Sequence, residues 1–143
     1  MLNSNAWHET YGQFLSESQA LLCKSEECIS HLEMIANDED AIACLLATLT
    51  RLSDEANHAS VPCIADFSRQ LRNVLDAGVA QDGLSHEALL TLKSCLTLIS
   101  WQLELIDPRT GEMPMDSEEQ QQLLEHLASI SGADGRQVDG VRG

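Results

Sequence analysis

The recurrence of aliphatic residues every three or four positions, along nearly the whole chain, is the feature that most constrains its fold. This spacing places apolar side chains on one face of an α-helix and differs from the alternation typical of strands. Proline is scarce, with Pro62, Pro108 and Pro114 the three in the sequence, so long uninterrupted helices are possible. Aromatic residues make up 3% of the sequence, and an aliphatic core favours helix packing over a β-sandwich. The sequence therefore predicts an all-α protein.

Cap and turn residues divide the pattern into five predicted helices. Asn37 or Asp38 is expected to cap the second helix, Ser60 the third and Ser85 the fourth. Asp116 or Ser117 is expected to cap the fifth helix. The dipeptide at 77–78 should end the third helix, with a loop following it. From these signals the helices span about residues 9–35, 38–57, 62–77, 86–106 and 117–131.

Four long helices with short connections predict an antiparallel up-down four-helix bundle with an additional C-terminal fifth helix. We expect this fifth helix to pack across one end or against the last pair. The bundle should form a single domain over residues 1–131, and the apolar-poor segment 132–143 should be a disordered tail. Ile35 and Trp101 follow the helical spacing, so both are expected to contribute to the core.

The charge balance argues against several classes of partner. The chain has 23 acidic and 8 basic residues and a formal net charge of −15. Nucleic acid and anionic membrane surfaces both attract basic proteins, so neither is expected as a partner. No apolar run approaches the ~18 residues of a membrane span, and no signal peptide is recognisable at the start. The predicted location is cytoplasmic.

The sequence contains no recognised catalytic or cofactor-binding motif. Its five cysteines lack the paired spacing of a zinc site, so they are expected to be reduced thiols and no metal is predicted. A phosphate-binding glycine loop, a nucleophile elbow and a metalloprotease motif are also missing. We therefore expect a protein that is not an enzyme and that uses no cofactor.

Several segments within residues 10–106 carry a family resemblance. They are the opening helix YGQFLSESQALLCKSEECISHL, the acidic turn NDED, the third helix FSRQLRNVLD, and the fourth helix through its length and apolar phase. Together they resemble the histidine-containing phosphotransfer (HPt) domain found at the N-terminus of CheA-type chemotaxis kinases. This resemblance implies a helical bundle that docks the receiver domains of response regulators.

The signature of that family is replaced in this chain. Its second helix normally reads His, any residue, an aliphatic residue, then Lys-Gly-Gly, and the histidine carries the phosphoryl group. By this resemblance Thr50 occupies the histidine position and Ser53 the lysine position. Asp54 and Glu55 stand in place of the two glycines. On the third helix Arg69 and Arg72 occupy positions where the family often has a histidine and a glutamate.

These replacements predict a module that binds partners without carrying phosphate. Phosphohistidine formation needs an imidazole nucleophile, whereas threonine offers a neutral hydroxyl without an evident base. Two added carboxylates would also repel an incoming phosphoryl group. The expected partner is a receiver domain or a histidine kinase in bacterial two-component or chemotaxis-like signalling. The predicted partner-binding residues are Arg51, Ser53, Asp54, Glu55, Arg69 and Arg72.

Two alternatives remain open from the sequence. The chain could be an active phosphocarrier that uses Thr50 or His58, which lies eight residues further along the same helix. It could also be a helical bundle unrelated to phosphorelay. The arginines of the third helix are expected to form ion pairs with Asp54 and Glu55 of the second helix.

Overall fold

The computed structural model describes residues 4–81, 83–107 and 118–130, and all secondary structure in these ranges is helical. The prediction of an all-α protein is confirmed. The predicted tail, the linker before the fifth helix and the cap at Asp116 or Ser117 lie outside the described residues. The five helices are α1 (Ser4–Met34), α2 (Glu39–His58), α3 (Pro62–Gln81), α4 (His86–Leu105) and α5 (Glu118–Ile130).

Specific contacts show how α1 and α4 run relative to each other. The Tyr11 hydroxyl donates a 2.8 Å hydrogen bond to the Leu103 carbonyl, joining the first part of α1 to the end of α4. Lys93 Nζ lies 2.9 Å from Glu33 Oε2, joining the end of α1 to the first half of α4. The two helices are therefore antiparallel neighbours.

The fifth helix packs against the last pair of long helices, since α5 contacts both α3 and α4. Gln120 Nε2 donates a buried 2.9 Å hydrogen bond to Gln102 Oε1, which ties the first turn of α5 to α4. Leu124 and Leu127 of α5 are buried in the common core. The remaining close helix contacts are α1 with α2 and α2 with α3.

The core is aliphatic, as the composition predicts, but two residues expected in it are exposed. Ile35 is 51% exposed because it lies in the turn just after α1 ends. Trp101 is 63% exposed, although Leu98, three residues earlier, is buried. The largest fully buried side chains are Phe67, Ile29, Leu32, Leu45, Leu49, Leu52, Ile64, Leu71, Leu75, Leu92, Leu96 and Ile99.

A polar contact ties the α1–α2 turn to the segment that leads into α4. Asp38 is the N-cap of α2, where its side chain accepts a hydrogen bond from the Ala41 amide. Asn37 instead adopts a left-handed conformation with φ 58°, and its Oδ1 accepts a 2.7 Å hydrogen bond from the Leu84 amide. Gly83 has φ 83°, and a Cβ there would lie 2.5 Å from Asn37 Oδ1, so a glycine is required.

The prediction that Ser60 caps α3 is wrong, because Ser60 belongs to the end of α2. It has φ 63°, its amide donates to the Asn57 carbonyl, and the Val61 amide donates to the Ala56 carbonyl. This pair of hydrogen bonds is a Schellman motif, which usually has glycine at the left-handed position. The Ser85 cap of α4 is confirmed by the hydrogen bond it accepts from the Ala88 amide.

The predicted end of α3 at residues 77–78 is also wrong, since the helix continues to Gln81. Gly78 is tolerated inside it although a glycine costs a helix about 1 kcal/mol relative to alanine. Val79, one residue further, packs against the core and supports the additional turn. Tertiary packing has therefore overridden the local signal.

Candidate functional site

A shallow surface groove between α2 and α3 contains most of the residues singled out in the sequence. We call this site the α2–α3 groove. Helical spacing explains its composition, since residues three, four and seven positions apart share one face of a helix. Its lining consists of Thr50, Ser53, Asp54 and Asn57 from α2, with Arg69, Arg72 and Asn73 from α3.

Thr50 lies on the exposed surface of this groove, without a histidine beside it. Its Oγ1 donates a 2.9 Å hydrogen bond to the Leu46 carbonyl, one turn earlier in α2. The hydroxyl proton is therefore directed at the helix backbone and away from the other groove side chains. No described histidine lines the groove, so an imidazole base for this hydroxyl is missing from the described residues.

Ser53 forms the floor of the groove rather than its surface. Its side chain is buried, with 6% of the residue exposed, and its Oγ donates a 2.9 Å hydrogen bond to the Ala65 carbonyl. The hydroxyl therefore joins α2 to α3 at a point where the two helices are close. We accordingly assign Ser53 a structural contact, in place of the expected contact with a partner.

The two arginines of α3 form ion pairs within their own helix. Arg69 Nη2 lies 3.2 Å from Asp66 Oδ1, and Arg72 Nη1 lies 4.0 Å from Asp76 Oδ2. The expected ion pairs from these arginines to α2 are not formed, and that prediction is wrong. Acidic residues three or four positions away on the same helix satisfy the arginines first. Within the described part of the chain Asp54 has no ion-pair partner.

Arg72 also has one unsatisfied group. Its Nε atom is buried and has no hydrogen-bond partner, although the side chain as a whole is 39% exposed. Its Nη1 lies 3.4 Å from Asn73 Oδ1, which is a long contact. Exposed ion pairs within a helix contribute only about 0.3–0.5 kcal/mol each. A partner could therefore displace these contacts at little cost.

Arg51 and Glu55 lie outside the groove, on the side of α2 that faces α1. Arg51 Nη2 is 3.5 Å from Glu17 Oε1 of α1, and its Nε is 3.4 Å from Glu55 Oε2. His58 is the last residue of α2, is exposed and does not line the groove. The predicted partner-binding residues of α2 are thus divided: Ser53 and Asp54 line the groove, whereas Arg51 and Glu55 lie on the side that faces α1.

Sequence reasoning missed Asn57 and Asn73, both of which line the α2–α3 groove. Their positions could have been found from spacing alone. Asn57 lies seven residues after Thr50, and Asn73 lies four residues after Arg69, so each shares a helix face with a predicted residue. The two amides add neutral donors and acceptors beside the charged side chains of the groove.

A second surface is apolar and belongs to α4. Leu90, Trp101 and Leu105 are 47%, 63% and 46% exposed, and we call these three residues the α4 apolar face. A shallow depression beside Leu90 and Trp101 is also lined by Lys93 and by Glu119 of α5. Exposed patches of large apolar side chains often mark interaction sites.

The described residues contain neither a metal-binding cluster nor a membrane-spanning helix. In those ranges no group of three or more His, Cys, Asp or Glu side chains is arranged to hold a metal ion. Among the described helices, none combines the length and the apolar character that crossing a bilayer requires.

The chain was also compared with known proteins. No family model, no curated protein and no solved structure matches it.

Proposed function

We propose that this chain is a non-phosphorylatable, HPt-like binding module of bacterial two-component or chemotaxis-like signalling. It docks the receiver domain of a response regulator, or the kinase itself, through the α2–α3 groove. In this proposal the helices form the antiparallel up-down four-helix bundle of that family, and α5 is the additional element. The observation that carries the proposal is the exposed position of Thr50 in a charged groove, at the place where the resemblance puts the phosphorylated histidine.

Charge supports docking at this groove. The protein is strongly acidic, yet Arg69 and Arg72 project from neighbouring turns of α3, and among the described residues their ion pairs are exposed and lie within that helix. Complementary charges select partners and orient them during encounter. Arginine is also enriched among the residues that dominate binding energy at interfaces. A partner with acidic side chains opposite α3 would fit this arrangement.

The same groove disfavours phosphate transfer. A relay needs a nucleophile that accepts and then releases the phosphoryl group, and a threonine ester is too stable to release it readily. The Thr50 hydroxyl donates to a backbone carbonyl, and Asp54, which has no ion-pair partner among the described residues, adds a negative charge to the groove. The first feature leaves the hydroxyl without a described base to activate it, and the Asp54 carboxylate repels an anionic phosphoryl group, which offsets part of the attraction of Arg69 and Arg72. Docking without transfer is therefore the function that this geometry supports best.

The test combines a transfer assay with a binding assay on the full chain. The protein is incubated with an active CheA-type kinase and labelled ATP, and separately with phosphorylated receiver domains. We expect no label on the chain. Isothermal titration against a panel of purified receiver domains and kinases from the source organism should identify at least one binding partner.

Matched variants distinguish the alternatives. Acid-labile label that His58→Gln removes would make His58 a phosphoacceptor and contradict the proposal. Acid-stable label that Thr50→Val removes would do the same for Thr50. If neither label nor binding is observed across the panel, the chain is a helical bundle unrelated to phosphorelay.

A further inference from the structure

A pair of cysteines lies across the contact between α1 and α2, away from the α2–α3 groove. Cys28 of α1 is buried, whereas Cys44 of α2 is half-buried, and both line one open surface crevice. We call this site the α1–α2 crevice. The other polar or charged side chains that line it are Lys24, Glu27, His31, Asp38 and Asp40.

The two cysteines face one crevice from neighbouring helices, Cys28 from α1 and Cys44 from α2. Burial is the main cause that raises the pKa of Cys28 to about 11, and a side-chain hydrogen bond with Cys44 is the next. Cysteines that line the same crevice on two packed helices are placed to form a disulfide by side-chain rotation. None of the other three cysteines lines this crevice.

We infer that Cys28 and Cys44 form an oxidisable dithiol, a modification site whose reactant is a small disulfide such as glutathione disulfide. The open crevice admits the reactant to Cys44, the more accessible of the two sulfurs. The inference concerns α1 and α2 alone and does not depend on the proposed docking function.

The reaction proceeds in two exchange steps. The Cys44 thiol loses its proton to solvent, and the resulting thiolate attacks one sulfur of glutathione disulfide. A mixed disulfide forms at Cys44 and one glutathione thiolate leaves. The Cys28 thiolate then attacks the Cys44 sulfur and releases the second glutathione thiolate. The protein loses two electrons and two protons in total, and one glutathione disulfide is reduced to two glutathione molecules.

The raised pKa of Cys28 predicts the relative rates of the two steps. A buried thiol with a pKa of about 11 is almost entirely protonated at neutral pH. Closure of the protein disulfide should therefore be slower than addition at Cys44, so the mixed disulfide should be observed first. The cross-link then joins α1 to α2 around their connecting turn, which restricts the unfolded chain and raises the melting temperature.

The test is oxidation of the full chain with glutathione disulfide, followed by intact mass measurement over time. Trypsin is unsuitable because Cys28 and Cys44 lie between Lys24 and Arg51 without another lysine or arginine between those two. A glutamyl endopeptidase can cleave after Glu33 and Glu39 and so separates the two cysteines. We expect a non-reduced peptide pair joined through Cys28 and Cys44, and a higher melting temperature for the oxidised protein.

Variants provide the controls. Cys28→Ser should stop at the mixed disulfide and Cys44→Ser should form no cross-link, whereas Cys23→Ser, on the exposed surface of α1, should form the same cross-link as the parent chain. The inference is overturned if the parent chain yields only mixed disulfides, or if its cross-link joins other cysteines. Because mapping uses the parent chain, the result stands even if a serine variant fails to fold.

Discussion

The α2–α3 groove and the α4 apolar face are both exposed, but they differ in chemistry and in what lies beneath them. The groove presents arginine, aspartate and amide side chains. Its floor is formed by Ser53, whose hydroxyl donates a hydrogen bond to the Ala65 carbonyl. The face on α4 presents leucine and tryptophan, and the opposite side of the helix is buried in a largely aliphatic core that includes Leu96. A charged groove can select one partner by complementarity, whereas an apolar face binds by area and discriminates less. We therefore assign recognition to the groove and not to the larger apolar side chains.

The largest effect on stability is expected beneath the α4 apolar face. Leu96 is 1% exposed, and Leu96→Ala should reduce the free energy of unfolding by about 2–5 kcal/mol, because it leaves a cavity. Chemical denaturation with circular dichroism measures the change. Leu90→Ala on the same helix is the control and should cost less than about 1 kcal/mol. Equal losses for the two variants would mean that Leu90 is as buried as Leu96.

A smaller effect is expected beneath the groove. Ser53→Ala removes the hydrogen bond to the Ala65 carbonyl and should cost about 0.5–1.5 kcal/mol. The measurement is again the free energy of unfolding, with Thr50→Ala as the exposed control on α2. If Ser53→Ala weakened partner binding strongly and left stability unchanged, our assignment of Ser53 to the floor would be wrong.

At the turn between α2 and α3 a substitution should stabilise the protein. Ser60 has φ 63° in a Schellman motif, and Ser60→Gly relieves the strain of a side chain at this position. We expect a net gain of about 0.5–1 kcal/mol after the higher chain entropy of glycine is subtracted. Thermal denaturation should show a higher melting temperature. A decrease would show that the serine side chain contributes more than the strain costs.

The smallest effect is expected at the centre of the α4 apolar face. Trp101 is 63% exposed, so Trp101→Ala should change the free energy of unfolding by less than about 1 kcal/mol. Receiver-domain binding should also be unchanged, as measured by titration calorimetry. Loss of binding in this variant would transfer the docking site from the groove to α4.

The sequence was sufficient to predict the helices because their apolar periodicity agrees with their packing. The predicted helix boundaries were wrong where a local sequence preference competes with tertiary packing. Ser60 was assigned to the wrong helix, since serine is favoured at N-caps and disfavoured in the left-handed conformation it adopts. Gly78 was interpreted as a stop, but packing of the following residue extends α3.

The site was only partly predictable for a related reason. Periodicity predicts which residues share a helix face, and so it could group Thr50 with Asp54. It does not predict the rotation of α4, whose apolar residues occur nearly all around the helix, and Trp101 was placed inward for that reason. Periodicity also does not predict which carboxylates form ion pairs with the arginines, because ion pairs within a helix compete with ion pairs between helices.

The central claim is that the α2–α3 groove binds an acidic partner surface through Arg69 and Arg72. The most direct measurement is the Kd for a receiver domain or kinase identified in the panel, compared between two variants of equal net charge. The double variant Arg69→Glu/Arg72→Glu replaces the two positive charges of the groove with negative ones. The double variant Lys24→Glu/Lys93→Glu makes the same change in net charge outside the groove. We predict that the groove variant weakens binding about tenfold or more while the control changes it about twofold or less. Equal weakening in both variants, or none in the groove variant, would contradict the account.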